Sequence, residues 1–255
     1  MVTSLAPAFD AQQPGTPLAE WQGWQRTFSE FSLGECDGLV VVAPHPDDEV
    51  LGAGGIMAQA RDRGIEVTVV AVTDGDGSHP GSRLYGAGEL ARVRARESEH
   101  ALGLLGVRAA ARLGLRDGQV AAEEDRLVGL IADVLRNAPP NALCLTSWRH
   151  DGHPDHEATG RASVRAAALA GVRCMEYPVW MWHWAGPEHP AVPWERAEQA
   201  TLSADVHRRK AEAVAQFRSQ LSPDPTIPQA GAVLGPHVIE RFLHLPEVVF
   251  SSGAE

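Results

Sequence analysis

The residues able to do chemistry gather in two short strings. The first, Ala43-Pro44-His45-Pro46-Asp47-Asp48-Glu49, crowds one imidazole and three carboxylates into a proline-stiffened turn. The second, Asp151-Gly152-His153-Pro154-Asp155-His156, sets two imidazoles beside two carboxylates. Like charges this close repel and need an offset. Each string alone has a plain structural reading: carboxylates at a helix start cap free N–H groups and favour the dipole, and loop histidines need have no role. Together they are more specific, because both repeat the order His-Pro-Asp. Two imidazoles and a carboxylate closing on a divalent ion make an open catalytic set, with positions left for water and substrate. The cation would also neutralise the crowded carboxylates. The strings point to a metal site.

Such a site needs a scaffold that brings the strings together. Apolar runs of strand length at 39–43 and 65–73, with further ones at 112–115, 142–146 and 173–177, alternate with helical patterns at 51–63, 87–105, 123–137 and 156–170. That alternation predicts an α/β fold, Rossmann-like, with a mostly parallel sheet and helices on both faces. Ligands bind beyond the carboxyl ends of such strands. Asp47, Asp74 and the 149–156 loop all fall there. Residues 1–36 read as a loose tail (1–17) and a short helix carrying Trp21, Trp24, Phe28 and Phe31. Residues 37–255 read as one domain, with 178–255 forming a rim or extension. Alternating Trp180, Trp182 and Trp184 predict a strand with one aromatic face, either core or a wall for substrate. A helix is expected over 205–221 and a loop over 222–236.

The chain has 255 residues and a formal net charge of −11. The acidic balance, without a Lys/Arg run, argues against a nucleic-acid partner. No apolar run approaches the ~20 residues of a membrane span, and no basic leader opens the chain, so a cytoplasmic protein is expected. Cys36, Cys144 and Cys174 lie too far apart for a CxxC pair. Gly52-Ala53-Gly54-Gly55 invites a dinucleotide reading, with Asp74 as the ribose acid, but Met57 stands where the third glycine belongs. Serine-hydrolase, phosphate-loop and zincin motifs are also missing; Gly160 occupies the second-histidine position after His156-Glu157.

The strings A-P-H-P-D-D-E and H-P-D-H resemble the signature motifs of the PIG-L/LmbE-like metal-dependent N-deacetylases. The resemblance continues through Arg94-Ala95-Arg96-Glu97, Leu115-Arg116-Asp117-Gly118, Lys210 and Ser219-Gln220, about residues 38–221. It implies His45, Asp48 and His156 as ligands of one Zn²⁺, with Fe²⁺ as the alternative. It implies Asp47 as general base, His153 as the group that polarises the amide and steadies the oxyanion, and Asp155 as the residue that orients His153. Arg94 and Asp117 would face a sugar, and Asp74 is similarly placed at a strand end. The implied reaction removes an N-acyl group, above all acetyl, from an N-acetylglucosamine-containing small molecule or glycoconjugate. A different amide, or a non-catalytic sugar-binding role, are the alternatives; a homo-oligomer stays open. Two departures from the family concern the substrate: Phe217 where a histidine often precedes Ser-Gln, and Asp151 where some members carry tyrosine.

Overall fold

The computed structural model describes residues 6–86, 88–108, 110–229 and 231–253. Its strands are β1 (Ser29–Glu30), β2 (Gly38–Ala43), β3 (Glu66–Thr73), β4 (Ala111–Leu115), β5 (Leu143–Ser147), β6 (Arg173–Tyr177), β7 (Ala197–Ala200) and β8 (Glu247–Ser251). The helices are α1 (Leu18–Gly23), α2 (Asp48–Asp62), α3 (Glu89–Leu104), α4 (Glu124–Arg136), α5 (Pro154–Ala170), α6 (Met181–Trp184), α7 (Ala204–Val214), α8 (Arg218–Leu221) and α9 (Pro236–His244). One sheet of order β1-β7-β8-β6-β5-β2-β3-β4 results. Every pairing is parallel except those of β8, which runs against both β6 and β7.

Period-two alternation in the buried strands splits the core in two. Leu39 and Val41 of β2 face the layer containing Leu51, Ile56 and Met57 of α2. Val40 and Val42 face Leu127 and Ile131 of α4 and Ala158 and Ala162 of α5. Burying each Val or Leu is worth about 1.5–3 kcal/mol, which is why these apolar runs become central strands. The expected α/β sheet, covered on both faces, is what forms.

The differences lie outside this centre. The C-terminal segment, expected as rim, also supplies β7 and β8 to the sheet. The expected 205–221 helix breaks after Val214 and resumes at Arg218. Trp180, Trp182 and Trp184 lie on no strand: the chain turns into α6, and Trp182 packs edge-on against Trp21 at 4.9 Å in the core. Phe28 and Phe31 follow α1 in extended chain, because the backbone leaves the helix at Trp24. Of the expected loose tail, residues 1–5 lie outside the described residues, whereas 6–17 are tied to α6 and α9.

The Gly52–Gly55 stretch lies inside α2, where it serves close packing. A Cβ on Gly52 would sit 2.1 Å from Tyr177 Cδ2, and one on Gly55 2.4 Å from Leu202 Cδ1. Lys210 and Glu247 close over the same turn as a buried ion pair at 2.7 Å. Lys210 Nζ donates to Leu51 O at 2.9 Å, while Glu247 accepts the N–H groups of Gly55 and Ile56 at 2.6 and 2.8 Å. The pair thus fastens α7 and β8 to the helix that begins at Asp48. Among the described residues no helix is long and apolar enough to cross a membrane.

Candidate metal centre and catalytic site

Connections leave β2 and β5 in opposite directions across the sheet, so their carboxyl ends flank a crevice. The turn after β2 carries His45 and Asp47, and α2 begins at Asp48. The loop after β5 carries Asp151 and His153, and α5 presents Asp155 and His156 in its first turn. Sheet topology therefore joins strings more than a hundred residues apart.

His45 Nδ1 lies 3.3 Å from Asp48 Oδ2 and 3.3 Å from His156 Nε2, and His156 Nε2 lies 3.2 Å from Asp48 Oδ2. These three atoms form a nearly equilateral triangle. An ion held about 2.0–2.1 Å from three tetrahedral corners spaces those corners about 3.3–3.4 Å apart. The donor set fits a zinc-sized ion. His153 lies within the same cluster, its ligand atom within 4.8 Å of those of His45 and His156.

Outward-facing atoms of the two imidazoles are also held. His156 Nδ1 meets Asp151 Oδ2 at 2.8 Å. The Asp151 carboxylate, fully buried, also accepts N–H groups from Val179, Trp180 and Met181 at 2.9–3.0 Å. His45 Nε2 meets Asp117 Oδ1 at 3.1 Å and Asp155 Oδ2 at 3.3 Å. Carboxylates on the far nitrogens fix tautomer and ring orientation at metal-binding histidines.

Charge accounting agrees with a cation site. Burial opposes ionisation of His156, yet Asp48 and Asp151 push it up to about 9. Burial likewise disfavours a charged His45, but Asp117, Asp155 and Asp48 raise it well above its ordinary value. Asp48 stays below the ordinary carboxylate range despite burial, through the charge and hydrogen bond of His156 and its contacts with His45. Protons thus occupy the imidazoles where a cation would otherwise balance the carboxylates. His153 is the exception: burial and repulsion from His156 and His45 drive it down to about 3. Its Nδ1 accepts the Asp155 N–H at 3.2 Å, so the neutral ring carries its proton on Nε2.

Asp47 occupies strained backbone, with φ 139° and ψ −32°. Non-glycine residues in sparsely populated regions concentrate at functional sites. Its N–H donates to Glu49 Oε2 at 3.0 Å, and its Oδ2 receives Arg94 Nη2 at 2.9 Å. Burial, with Asp48 and Glu49, raises the Asp47 carboxyl to about 8 against the downward pull of Arg94.

Eight of the nine expected site residues therefore meet in one cluster or its wall: His45, Asp47, Asp48, Arg94, Asp117, His153, Asp155 and His156. Three take different parts. Arg94, expected to reach a sugar, is buried and spent on Asp47, Gly75 O and Pro46 O. The Asp155 carboxylate, expected at His153, meets His45 and accepts the Gly118 N–H at 2.6 Å. Asp117 meets His45 and accepts the Gly77 N–H at 2.9 Å. Asp74 stands apart from the cluster, paired with Arg112 at 2.6 Å. Asp151 is the residue the sequence reading undervalued; its one sequence signal is a carboxylate five positions before His156.

An α/β chain with a His/Asp cluster at its sheet's switch point is a class with known relatives. The family model of GlcNAc-PI de-N-acetylase (PIG-L) matches residues 40–167, and the chain belongs to that family. A probable N-acetyl-alpha-D-glucosaminyl L-malate deacetylase 2 of Bacillus cereus is 32% identical over 133 residues, 51% of this chain and 60% of the relative. The chain spans about half to three fifths of the length of the first curated relatives it matches. Among solved structures, N,N'-diacetylchitobiose deacetylase from Pyrococcus horikoshii superposes with a TM-score of 0.63 at 23% identity, over 83% of this chain and 77% of that one. GalB, the 4-carboxy-2-hydroxymuconate hydratase of Pseudomonas putida, superposes at 0.57 and 18% identity, over 72% and 80%. At these identities both show the fold alone; function has to be argued from the site.

Proposed function

We propose that the chain is a metal-dependent N-deacetylase acting on an N-acetylglucosamine-containing small molecule or glycoconjugate. The observation that carries this reading is the triangle of His45 Nδ1, Asp48 Oδ2 and His156 Nε2, with Asp47 strained beside it. His45, Asp48 and His156 would hold one Zn²⁺ or Fe²⁺. When bound, such an ion polarises a carbonyl and acidifies water.

Asp47 takes the proton of the attacking water. Burial disfavours the charged form of this carboxyl and so makes it a stronger base than an exposed carboxylate. Arg94 holds that carboxylate in place through Nη2 at 2.9 Å. His153, neutral with its proton on Nε2, donates to the oxygen that becomes negative as water adds to the carbonyl carbon. Burial opposes a second proton on His153, so the proton that leaves with the amine returns from Asp47. The C–N bond breaks, giving a free amine and acetate.

A second reading keeps the chemistry and changes the amide. Arg94, Asp117 and Asp74, the expected sugar contacts, are engaged with Asp47, His45 and Arg112, which favours testing N-acyl compounds without glucosamine. A non-catalytic binder is disfavoured, because a base in strained backbone adds nothing to sugar binding.

The test pairs metal content with turnover of an N-acyl panel. About one metal per chain, lost in Asp48→Ala, supports the ligand set. Asp47→Asn is expected to keep metal and lose about 10²–10⁴-fold in turnover. Wild type that takes up no zinc, or Asp47→Asn as active as wild type, would overturn the reading.

A further inference from the structure

Residues 6–16 precede the stretch matched by the family model, yet their main chain is gathered in by distant side chains. Buried Arg241 donates through Nε and Nη2 to Thr16 O at 2.9 and 2.7 Å, and through Nη2 to Pro14 O. His183 Nε2 meets Asp10 O at 3.1 Å, and His237 Nε2 meets Ala11 O at 3.0 Å. Thr16 returns two bonds, N–H to His183 O at 2.9 Å and Oγ1 to Ala185 O at 2.6 Å. Gln12 Nε2 adds a bond to Ala232 O at 3.1 Å. An arm fastened this densely has a fixed path.

That path crosses the loop carrying His153. Gly152, its neighbour, has φ 92°. A Cβ on Gly152 would lie 2.9 Å from Ala6 Cβ, 3.0 Å from Phe9 Cε1 and 3.0 Å from Trp184 Nε1. Phe9 itself is seated on Trp180 and His183, with ring centroids 5.5 and 5.4 Å away. A glycine at positive φ has little intrinsic preference for one conformation; its N–H is tied to Glu157 Oε1 at 3.2 Å, and packing on the glycine restricts the rest of the turn. Trp184 does so from within, donating to Asp151 O at 2.8 Å. Ala6 and Phe9 close the remaining side.

His156 does not depend on this cover. It lies inside α5, its ring bonded to Asp151 and its carbonyl bonded by Ser147 Oγ at 2.9 Å. His153 is the first residue past the glycine, at the N-cap of α5, and its orientation follows the 151–153 backbone. We propose that the arm of residues 6–16 is a brace in which Phe9, seated on Gly152, is a positioning residue that aims His153 Nε2 at the reacting carbonyl. The proposal rests on the reading of His153 as the oxyanion donor.

Phe9→Ala and Phe9→Leu in the full chain test it, with kcat, KM, metal content and amide exchange of residues 150–153 as readouts. A donor displaced by about 1 Å costs on the order of 10²-fold in rate. Phe9→Ala is therefore expected to lower kcat at least several-fold with KM and metal unchanged and faster exchange in the loop. Phe9→Leu, which refills the space, restores most of kcat. Should Phe9→Ala fail to fold, Gln12→Ala/His237→Ala loosens the arm from its surface anchors and is expected to give the same kcat-only loss. Wild-type kcat or wild-type loop exchange in the variant that folds overturns the brace. Metal lost in step with activity overturns it too, since that assigns the arm a general structural role. Failure of the hydrolase reading looks different: metal-loaded wild type turns over no N-acyl compound, and loop exchange alone then decides whether the arm is a brace.

Discussion

Arg94 Nη2 and Asp47 Oδ2 lie 2.9 Å apart, and both side chains are buried. The guanidinium opposes the upward push of burial and of Asp48 and Glu49 on the Asp47 carboxyl. Replacing Arg94 by Met removes that opposition, so Asp47 binds its proton more tightly. The acid limb of kcat/KM against pH is expected to move to higher pH, with roughly ten-fold less activity per unit of displacement on that limb. An unmoved limb would separate Asp47 from the proton transfer.

Asp151 predicts a metal effect without being a ligand candidate itself. Asp151→Asn weakens the charge behind His156 and disturbs three buried backbone donors. Loss of such an outer partner typically costs about 10–100-fold in metal affinity. Competition against a graded chelator reads this directly. Unchanged affinity would mean that the carboxylate serves only to fasten residues 179–181.

Removing the metal should expose a pH dependence of stability. In chelator-treated protein, Asp47 holds its proton up to about 8 and Glu49 to about 7, against ordinary values of 3.8 and 4.5; burial is the main cause for both. His156 holds one up to about 9 against 6.5. The folded chain then binds more protons than the unfolded one between pH 6.5 and 9, so stability falls as pH rises through that window. His153 has the opposite sign but acts only below its ordinary 6.5. Melting temperatures at pH 6.5, 7.5 and 8.5 should decline without zinc and decline less with it, because the cation displaces the same protons. A flat metal-free profile contradicts the assigned protonation.

Gly52→Ala sets packing against helix propensity. Alanine is favoured over glycine inside a helix by about 1 kcal/mol, yet its Cβ would fall 2.1 Å from the buried Tyr177 ring, whose hydroxyl donates to Val42 O. Overpacking of this kind costs about 1–3 kcal/mol. At roughly 2–4 °C per kcal/mol for a chain this size, the melting temperature should drop by several degrees. A rise would show that the ring moves aside freely.

Much of this architecture was legible in the chain order of residues. Runs such as 39–43 are apolar throughout because their strands are covered on both faces, and that signal is local. Both His-Pro-Asp strings were legible for the same reason: their imidazoles and carboxylates sit at the short spacings of one turn or helix start. β7, β8 and α6 were not legible. β7 is only four residues long, and the aromatic alternation of 180–184 forms no strand because a carboxylate 29 residues earlier captures the Trp180 N–H.

Sequence by itself determined the central strands and helices, the family and the two strings that supply the site, since hydrophobic period and motif spacing are written along the chain. Tertiary structure decided the partnerships: Arg94 with Asp47, Asp155 with His45, Asp151 with His156, Phe9 over Gly152. Each depends on distances of a few ångströms between segments that are far apart in sequence. Only the packed sheet and its crossovers set such distances, because hydrogen bonds and screened charges act over short range and carry no mark of their partner in the local sequence.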